Sequence, residues 1–310
     1  MRLIKPSFEI IEQQPGILGL YKQIELAGRT CYKSEDKITP DSAAAFVDRM
    51  IKSGHGAMLE HGTVYLRIPD VSSDGQYVYP AKGRYAGNKY SRLDTKWEGP
   101  ANAQYIVTFV TTNLRVLVEN GWTDDLKYIC EPTEYHEKRV TVRFICDRGV
   151  SHEFVRHRVF SFAQESTRYC NYSKDKFGNE LTFIIPCWLD IPEDTYSLGK
   201  LRSKDNPERT CMVEISENNG AYNVESPIGK FLHVLDYSSD RYMELINEGW
   251  KPQEARAILP NSLKTELVMT GFVSDWKHFF KLRDAGSAHP QAQELAKPLH
   301  EEFIKRGYLQ

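Results

Sequence analysis

The stretch RVTVRFIC at residues 139–146 and the stretch GVSHEFVRHR at residues 149–158 decide the fold class. Apolar side chains occupy every second position of the first stretch, which predicts a β-strand with one buried face. The glycine that opens the second stretch turns the chain into a predicted helix that carries residues 153–158. A strand followed directly by a helix therefore stands at the centre of the sequence.

Helices and strands are predicted on both sides of this centre. Toward the N-terminus, the pattern predicts helices from Ile17 to Gly28 and from Thr39 to Gly54. Further elements are predicted as strands at 64–68 and 105–110 and as a helix at 114–118. The last 85 residues are predicted to be mostly helical, at 228–247, 252–259, 262–282 and 291–305. Because strands and helices do not alternate regularly, we predict an α+β fold, with a mixed sheet packed with helices and a helical C-terminal part.

Two long stretches interrupt this pattern. From about residue 70 to 102 the composition changes to glycine, serine, tyrosine, lysine and aspartate without a clean period, and a second such stretch runs from about 189 to 226. We interpret both stretches as excursion loops, the first with a tyrosine-rich hairpin. They are expected to interrupt a single domain that spans residues 1–310.

The composition excludes several classes of protein. With 41% hydrophobic and 26% charged residues, the chain of 310 residues is typical of globular proteins and not of disordered or fibrous ones. No apolar run is long enough to span a membrane, and the first residues lack an apolar secretion segment, so we expect a cytoplasmic protein. The net charge of -2 argues against a basic field over the whole molecule. The six widely spaced cysteines form no CxxC motif and are expected to be free thiols.

The run RHRVFSFAQESTRY at residues 156–169 is the strongest functional signal. Its arginines can bind phosphate oxygens through paired hydrogen bonds, and apolar neighbours such as Phe160 indicate that they leave a partly buried element. The alternative interpretation is a solvated basic turn that pairs with nearby acids. His152 and His157 stand five positions apart, one more than a zinc-binding HExxH helix requires, so we predict no metal site. No GxSxG elbow surrounds Ser166, which favours a ligand-positioning serine over a nucleophile.

Together with two further blocks, this run resembles the signature of the flavin-dependent thymidylate synthases. The run supplies RHR, a serine, and a second serine followed by x-Arg-Tyr. The block GHGAMLEH at 54–61 is similar to the family's histidine and glutamate block. The block EARAILP at 254–260, with Leu282 and Arg283 further on, resembles its C-terminal nucleotide-binding block. The three blocks follow the family's order and cover the chain from about residue 40 to 305.

The resemblance implies a homotetrameric enzyme of α+β subunits whose FAD sites are shared between chains. Such an enzyme converts dUMP to dTMP, with methylenetetrahydrofolate as the carbon donor and NADPH as the reductant that acts through FAD. The expected partners are therefore dUMP, folate and NADPH, and neither nucleic acid nor a membrane is expected.

The resemblance also implies roles for individual residues. Catalytic roles fall to Arg283, which would stabilise charge on the uracil ring, to Ser166, which would position the nucleotide, and to His55 near flavin and folate. The expected FAD-binding residues are Arg156, His157, Arg158, Gln164 and His278. The residues expected around the nucleotide substrate are Glu153, Arg156, Gln164, Glu165, Ser166, Arg168, Arg256 and Arg283.

The sequence departs from the family pattern at three places. Glu153 stands where glutamine is frequent, and a buried acid there would need a hydrogen-bond donor or an arginine nearby. Residues 272–274 replace a frequent Asn-Ala-Arg flavin contact, and His278 replaces a frequent asparagine.

Two other functions stay open at the level of sequence. One is a binding module for single-stranded nucleic acid, in which the RHR run contacts phosphates and tyrosines stack on bases. The slightly acidic net charge argues against this module. The other is a flavin or nucleotide enzyme that catalyses a different reaction.

Overall fold

The computed structural model describes residues 1–69, 80–101, 104–199, 212–215 and 221–309. The helices are α1 (Gly16–Tyr32), α2 (Ser42–Lys52), α3 (Gly56–Leu59), α4 (Pro80–Tyr85), α5 (Leu114–Asn120), α6 (Arg148–Phe154), α7 (Pro227–Asn247), α8 (Pro252–Ala255), α9 (Val273–Arg283) and α10 (Pro290–Lys305). The strands are β1 (Arg2–Ile4), β2 (Ser7–Ile11), β3 (Thr63–Pro69), β4 (Arg92–Glu98), β5 (Tyr105–Asn113), β6 (Arg139–Asp147), β7 (Ser161–Gln164), β8 (Thr182–Ile184), β9 (Asp194–Gly199), β10 (Met212–Ile215), β11 (Ala221–Asn223) and β12 (Lys264–Phe272). The mixture of sheets and helices confirms the predicted α+β class.

The described strands form three sheets. A four-stranded antiparallel sheet has the order β2-β6-β12-β7, and a five-stranded sheet has the order β11-β10-β9-β1-β8. In the latter, β1 runs parallel to β8 and antiparallel to β9. The third sheet, β3-β5-β4, is antiparallel. Helices α9 and α10 cover the four-stranded sheet, where Trp276 donates a hydrogen bond from Nε1 to the carbonyl oxygen of Val140 at 3.1 Å.

The predicted helix at 262–282 is wrong in its first half. Residues Lys264–Phe272 form β12, which pairs with β6 from Lys264 opposite Asp147 to Phe272 opposite Arg139. Nearly every side chain of β12 is buried, because layers cover both faces of this central strand. A continuous apolar run of that kind has no alternation that would separate a buried strand from a buried helix. The helix begins only at Val273.

The strand predicted at 139–146 is β6. It was predicted to have one buried face, but residues on both of its faces are buried. Its first four residues are all buried, including Thr141, whose Oγ1 lies 2.8 Å from Oγ1 of Thr270 on β12. The helix that follows it, α6, ends at Phe154 rather than at 158. The RHR triplet therefore lies in the turn beyond the helix.

The two predicted excursion loops contain regular structure. The first holds α4 and also β4, which pairs along its length with β5. The second holds β9, β10 and β11, which extend the sheet of β1. Cross-strand pairing supplies the order that the polar sequences do not reveal. Residues 70–79, 102–103, 200–211 and 216–220 of these predictions lie outside the described residues.

Two helix boundaries in the N-terminal part also differ from the prediction. Helix α1 continues past Gly28 to Tyr32, because the missing Cβ of this glycine makes room for the buried ring of Phe46. A Cβ at Gly28 would lie 2.4 Å from Cζ of Phe46. Helix α2 begins at Ser42, whose Oγ accepts a hydrogen bond from the amide of Thr39 at 2.9 Å and so holds residue 39 in the preceding turn.

Two expectations about chain chemistry can be compared with the described residues. The five cysteines within them, Cys31, Cys130, Cys146, Cys170 and Cys187, are free thiols. None of the helices in the described ranges combines the length and apolarity needed to cross a membrane.

Candidate functional site

The RHR triplet follows a helix whose last residue is firmly packed. Phe154, the last residue of α6, is fully buried, with its ring 5.0 Å from those of Phe144 and Phe279. In the turn that follows, Arg156 and Arg158 are exposed. Neither guanidinium group forms an ion pair or a side-chain hydrogen bond within the described ranges. Two unpaired cations on a rigid base are suited to bind an anionic ligand.

The central histidine of the triplet is buried and neutral. Only 7% of His157 is exposed, and its Nε2 accepts a hydrogen bond from Nε of Arg283 at 3.0 Å. Burial and the positive charges of Arg283 and His278 lower the pKa of His157 to about 4. A ring nitrogen that accepts from an arginine must be unprotonated, so the geometry and the pKa agree.

Arg283 is also held by Glu153. Nη1 of Arg283 donates to Oε2 of Glu153 at 2.5 Å, and Nη2 donates to the backbone oxygen of the same residue at 2.8 Å. This contact supplies the arginine that the acid at position 153 was expected to need. Glu153, His157 and Arg283 thus form one group, which we call the α6–α9 cluster. His278 is exposed beside it, with its ring 6.3 Å from that of His157.

The remaining nucleotide-binding candidates lie around the end of β7. The side-chain amide nitrogen Nε2 of Gln164 donates to Oγ of Ser151 at 2.9 Å and to Oγ1 of Thr265 at 3.2 Å. Ser166 donates its backbone amide to the carbonyl oxygen of Cys31 at 3.0 Å. Gln164 therefore joins α6 to β12, and Ser166 is fixed against the end of α1.

Two exposed arginines flank Ser166 in this second group. Nη1 of Arg256 donates to Oγ1 of Thr167 at 3.1 Å, so the C-terminal block contacts the serine-containing loop within this chain. Arg168 is exposed, and its guanidinium carbon lies 5.4 Å from the ring centroid of Tyr169. Neither arginine has an ion-pair partner in the described part of the chain.

Glu165 belongs to a buried ionic network. Its carboxylate is 1% exposed and accepts hydrogen bonds from Tyr172 at 3.0 Å and from Lys264 at 2.9 Å. Lys264 and Lys33 also contact Glu266, at 2.7 and 2.8 Å. Although burial alone would raise it, these two ammonium groups lower the pKa of Glu266 to about 2. Sequence reasoning missed both lysines and Glu266, because the network is assembled from distant segments.

The histidine block places its two histidines differently. His55 is exposed at the start of α3 and makes no side-chain hydrogen bond with the other candidate site residues of the described chain. His61, which the sequence reasoning did not single out, is fully buried with Nδ1 2.9 Å from Oγ1 of Thr270. Its Nε2 is buried and has no partner in the described ranges. Burial and the nearby charge of Arg139 lower the pKa of His61 to about 3.

The candidate residues form two hydrogen-bonded groups, and Gln164 at the end of β7 is bonded to Ser151 of α6, the helix that carries Glu153. Among the described residues, no hydrogen bond or ion pair joins Arg283 to Ser166, Arg168 or Arg256.

Comparisons with known proteins agree with this set of motifs. Residues 133–306 match the family model described as thymidylate synthase complementing protein. The flavin-dependent thymidylate synthase of Pyrococcus furiosus is 29% identical over 161 residues, which cover 52% of this chain and 52% of that protein. The flavin-dependent thymidylate synthase of Corynebacterium glutamicum is 23% identical over 289 residues, which cover 92% of this chain and 76% of that protein.

Among solved structures, the chain is similar to the UMP/dUMP methylase PolB from Streptomyces cacaoi bound with 5-Br dUMP. The two share 16% sequence identity with a TM-score of 0.40, and the superposition covers 98% of this chain and 93% of the other. In the first of the sequence matches above, the chain spans about half the length of its relative.

Proposed function

Because the chain belongs to the thymidylate synthase complementing protein family, we propose that it is a flavin-dependent thymidylate synthase. The reaction would be the reductive methylation of dUMP to dTMP, with methylenetetrahydrofolate as the carbon donor and NADPH as the reductant through FAD. The names of the relatives and the dUMP analogue bound by PolB support this assignment. The observation that carries it is the pair of unpaired guanidinium groups beside a buried neutral histidine, within the matched range.

The residues of the RHR turn fit an anionic flavin nucleotide. Arg156 and Arg158 would bind its phosphates, and His157 would present a neutral ring beside them. The buried Nε2 of His61 has no partner in the described ranges, and such an atom usually has a ligand or water to bond. The bound flavin would supply the redox chemistry, while the protein supplies orientation and electrostatics.

The other candidates would hold the substrate. Arg168 and Arg256 are the exposed cations near Ser166, and they would bind the phosphate of dUMP. Arg283 would face the uracil ring, where charge develops during the reaction, and its bonds to Glu153 and His157 would keep it in place. Ser166 would orient the nucleotide by hydrogen bonding.

We also propose that the active unit is a homotetramer. The proposal is supported by the family resemblance, which implies FAD sites that are shared between chains. Light scattering should then show a tetramer for the protein that carries FAD. A monomer that holds FAD stoichiometrically would contradict the proposal.

The function is tested by tritium release from dUMP labelled at carbon 5. We expect purified protein to show the visible spectrum of bound flavin and to release tritium only when NADPH and methylenetetrahydrofolate are both present. Arg156→Ala should lose flavin, whereas Arg143→Ala should not, because Arg143 pairs with Glu9 on the four-stranded sheet. A flavin-loaded protein that releases no tritium would overturn the assignment.

A further inference from the structure

A pocket of about 250 Å³ lies between the start of β4 and the end of β12, outside the contacts described above. Cations dominate its lining, since Lys89, Arg92, Arg139 and Arg158 border it and Asp275 is the only acid among the lining residues in the described ranges. Sites for whole drug-sized ligands usually enclose about 300–1,000 Å³. The size therefore suits one charged part of a nucleotide and not the whole molecule.

Arg139 is a buried cation without a carboxylate partner. It is 8% exposed, and its guanidinium group donates to three neutral oxygens: the carbonyl of Glu60 at 3.1 Å, Oγ1 of Thr63 at 3.3 Å and Oγ of Ser161 at 3.4 Å. Its Nε is buried without a partner, and no acid of the described chain lies within ion-pair distance. A buried charge is costly unless it is compensated, and Asp275, the one acid of the lining in the described ranges, forms no ion pair with Arg139, so the pocket can accept a further negative charge.

Arg92 brings a second guanidinium group to the same place. Its Cζ lies 4.4 Å from the ring centroid of Phe272, and Cζ of Arg139 lies 5.5 Å from the same centroid. Nε of Arg92 lies 3.4 Å from Oε2 of Glu137 in an ion pair, and its Nη1 donates a hydrogen bond to the carbonyl oxygen of Lys89 at 3.1 Å. These contacts hold the side chain in place. Its side chain is still 38% exposed, which leaves it accessible to a ligand.

We propose that this pocket binds the diphosphate of a nucleotide, with Arg92 and Lys89 as ligand-binding residues and Arg139 as the buried countercharge. Several cations around a small space, three of them planar guanidinium groups, match the oxygens of a diphosphate better than those of a single carboxylate. The inference rests on the proposed function, because Arg158 of the RHR turn lines the same pocket. Lys89 and Arg92 lie outside residues 133–306, the region that the family model matches.

Both FAD and NADPH carry a diphosphate, and binding assays separate them. We would titrate FAD, riboflavin and NADPH into flavin-free protein and compare Arg92→Ala and Lys89→Ala with Lys96→Ala. Lys96 is an exposed cation on the same strand that does not line the pocket. Arg92→Ala should weaken FAD binding about tenfold or more, since a hydrogen bond to a charged group is worth that much, and Lys89→Ala should weaken it less. Riboflavin, which lacks phosphate, should bind equally to all four proteins.

The outcomes distinguish this inference from the proposed function. If NADPH binding alone is weakened, the pocket holds the diphosphate of the reductant. If wild-type protein binds flavin and releases tritium, but Arg92→Ala and Lys89→Ala bind FAD and NADPH like Lys96→Ala, the pocket assignment is wrong and the function stands. If wild-type protein shows no flavin binding and no tritium release, the pocket is tested with inorganic pyrophosphate, and the melting temperature is measured for wild type and Arg92→Ala. A rise in the melting temperature of wild type but not of Arg92→Ala would support the subsite, and an equal rise in both would overturn it.

Discussion

Acidification should destabilise this protein through His61, whose ring is buried as a neutral group. Burial, with a smaller contribution from the charge of Arg139, lowers its pKa from 6.5 to about 3. The unfolded chain therefore binds the proton more readily than the folded chain, and stability falls as the pH drops below 6.5. The loss of stability caused by His61 ends only near pH 3, where the folded chain also binds the proton. Each pH unit within that window costs about 1.4 kcal/mol, so moving from pH 8 to pH 5 should cost about 2 kcal/mol.

The assay is urea unfolding of wild type and His61→Asn at pH 8, 7, 6 and 5. The asparagine can keep a hydrogen bond with Thr270 but cannot take up a proton. We expect the variant to lose about 2 kcal/mol less than wild type across this range, whatever its stability at pH 8. His157 and the carboxylates titrate in both proteins, so their contributions cancel in the comparison. An equal loss of stability in the two proteins would refute the argument that His61 is buried as a neutral ring.

Four substitutions at three positions test the packing and the site. Gly28→Ala should destabilise the fold by about 1–3 kcal/mol, because the new methyl group would overlap the ring of Phe46, and a lower urea midpoint would show it. Arg283→Ala should lower the rate of tritium release by the equivalent of about 2.7–4 kcal/mol with little effect on dUMP affinity, if it acts as an oxyanion-hole donor does. Arg283→Lys should recover little of that rate, because one ammonium cannot bond Glu153 as a planar fork does. Ser166→Ala should reduce tritium release without abolishing it, because a positioning serine forms no covalent bond.

Each substitution has its own control. Gly286→Ala places a methyl group where no atom lies within 4 Å, so it should leave the urea midpoint nearly unchanged. Unchanged single-turnover flavin oxidation in both Arg283 variants would show that this arginine is structural. Mass spectrometry of a trapped adduct between Ser166 and the pyrimidine would contradict its positioning role.

The sequence predicts a helix or strand best where apolar residues recur at regular spacing along one face of the element. Strand β3 and helix α5 follow the alternation and the helical spacing at 64–68 and 114–118, and Gly121 caps α5 with φ of 69° as a helix-ending glycine should. Strand β12 could not be predicted in this way, since its surroundings and not its own pattern make it a strand. Strand β4 is mostly exposed, so it also lacks the alternation that reveals a half-buried strand.

The site was predictable as motifs but not as an arrangement. The RHR turn could be identified because cations follow an apolar helix within a few residues. The bond between Glu153 and Arg283 joins positions that are 130 residues apart, and only the packing of α6 near α9 brings them together. The same holds for Arg139. Its sequence pattern predicts an ordinary strand residue, and only the three-dimensional structure reveals that no carboxylate of the described residues pairs with it.

The order β2-β6-β12-β7 also dictates when the chain can fold as the ribosome makes it. Strand β6 pairs on one side with β2 and on the other with β12, so after residue 147 has been synthesised it must wait for more than a hundred residues. Strand β7 waits as well, because its partner is β12. During that interval two apolar strand edges stay open, and pairings of such long sequence separation form slowly. The nascent chain is therefore exposed to misassociation until β12 is made, and it should depend on chaperones at that stage of synthesis more than at any other.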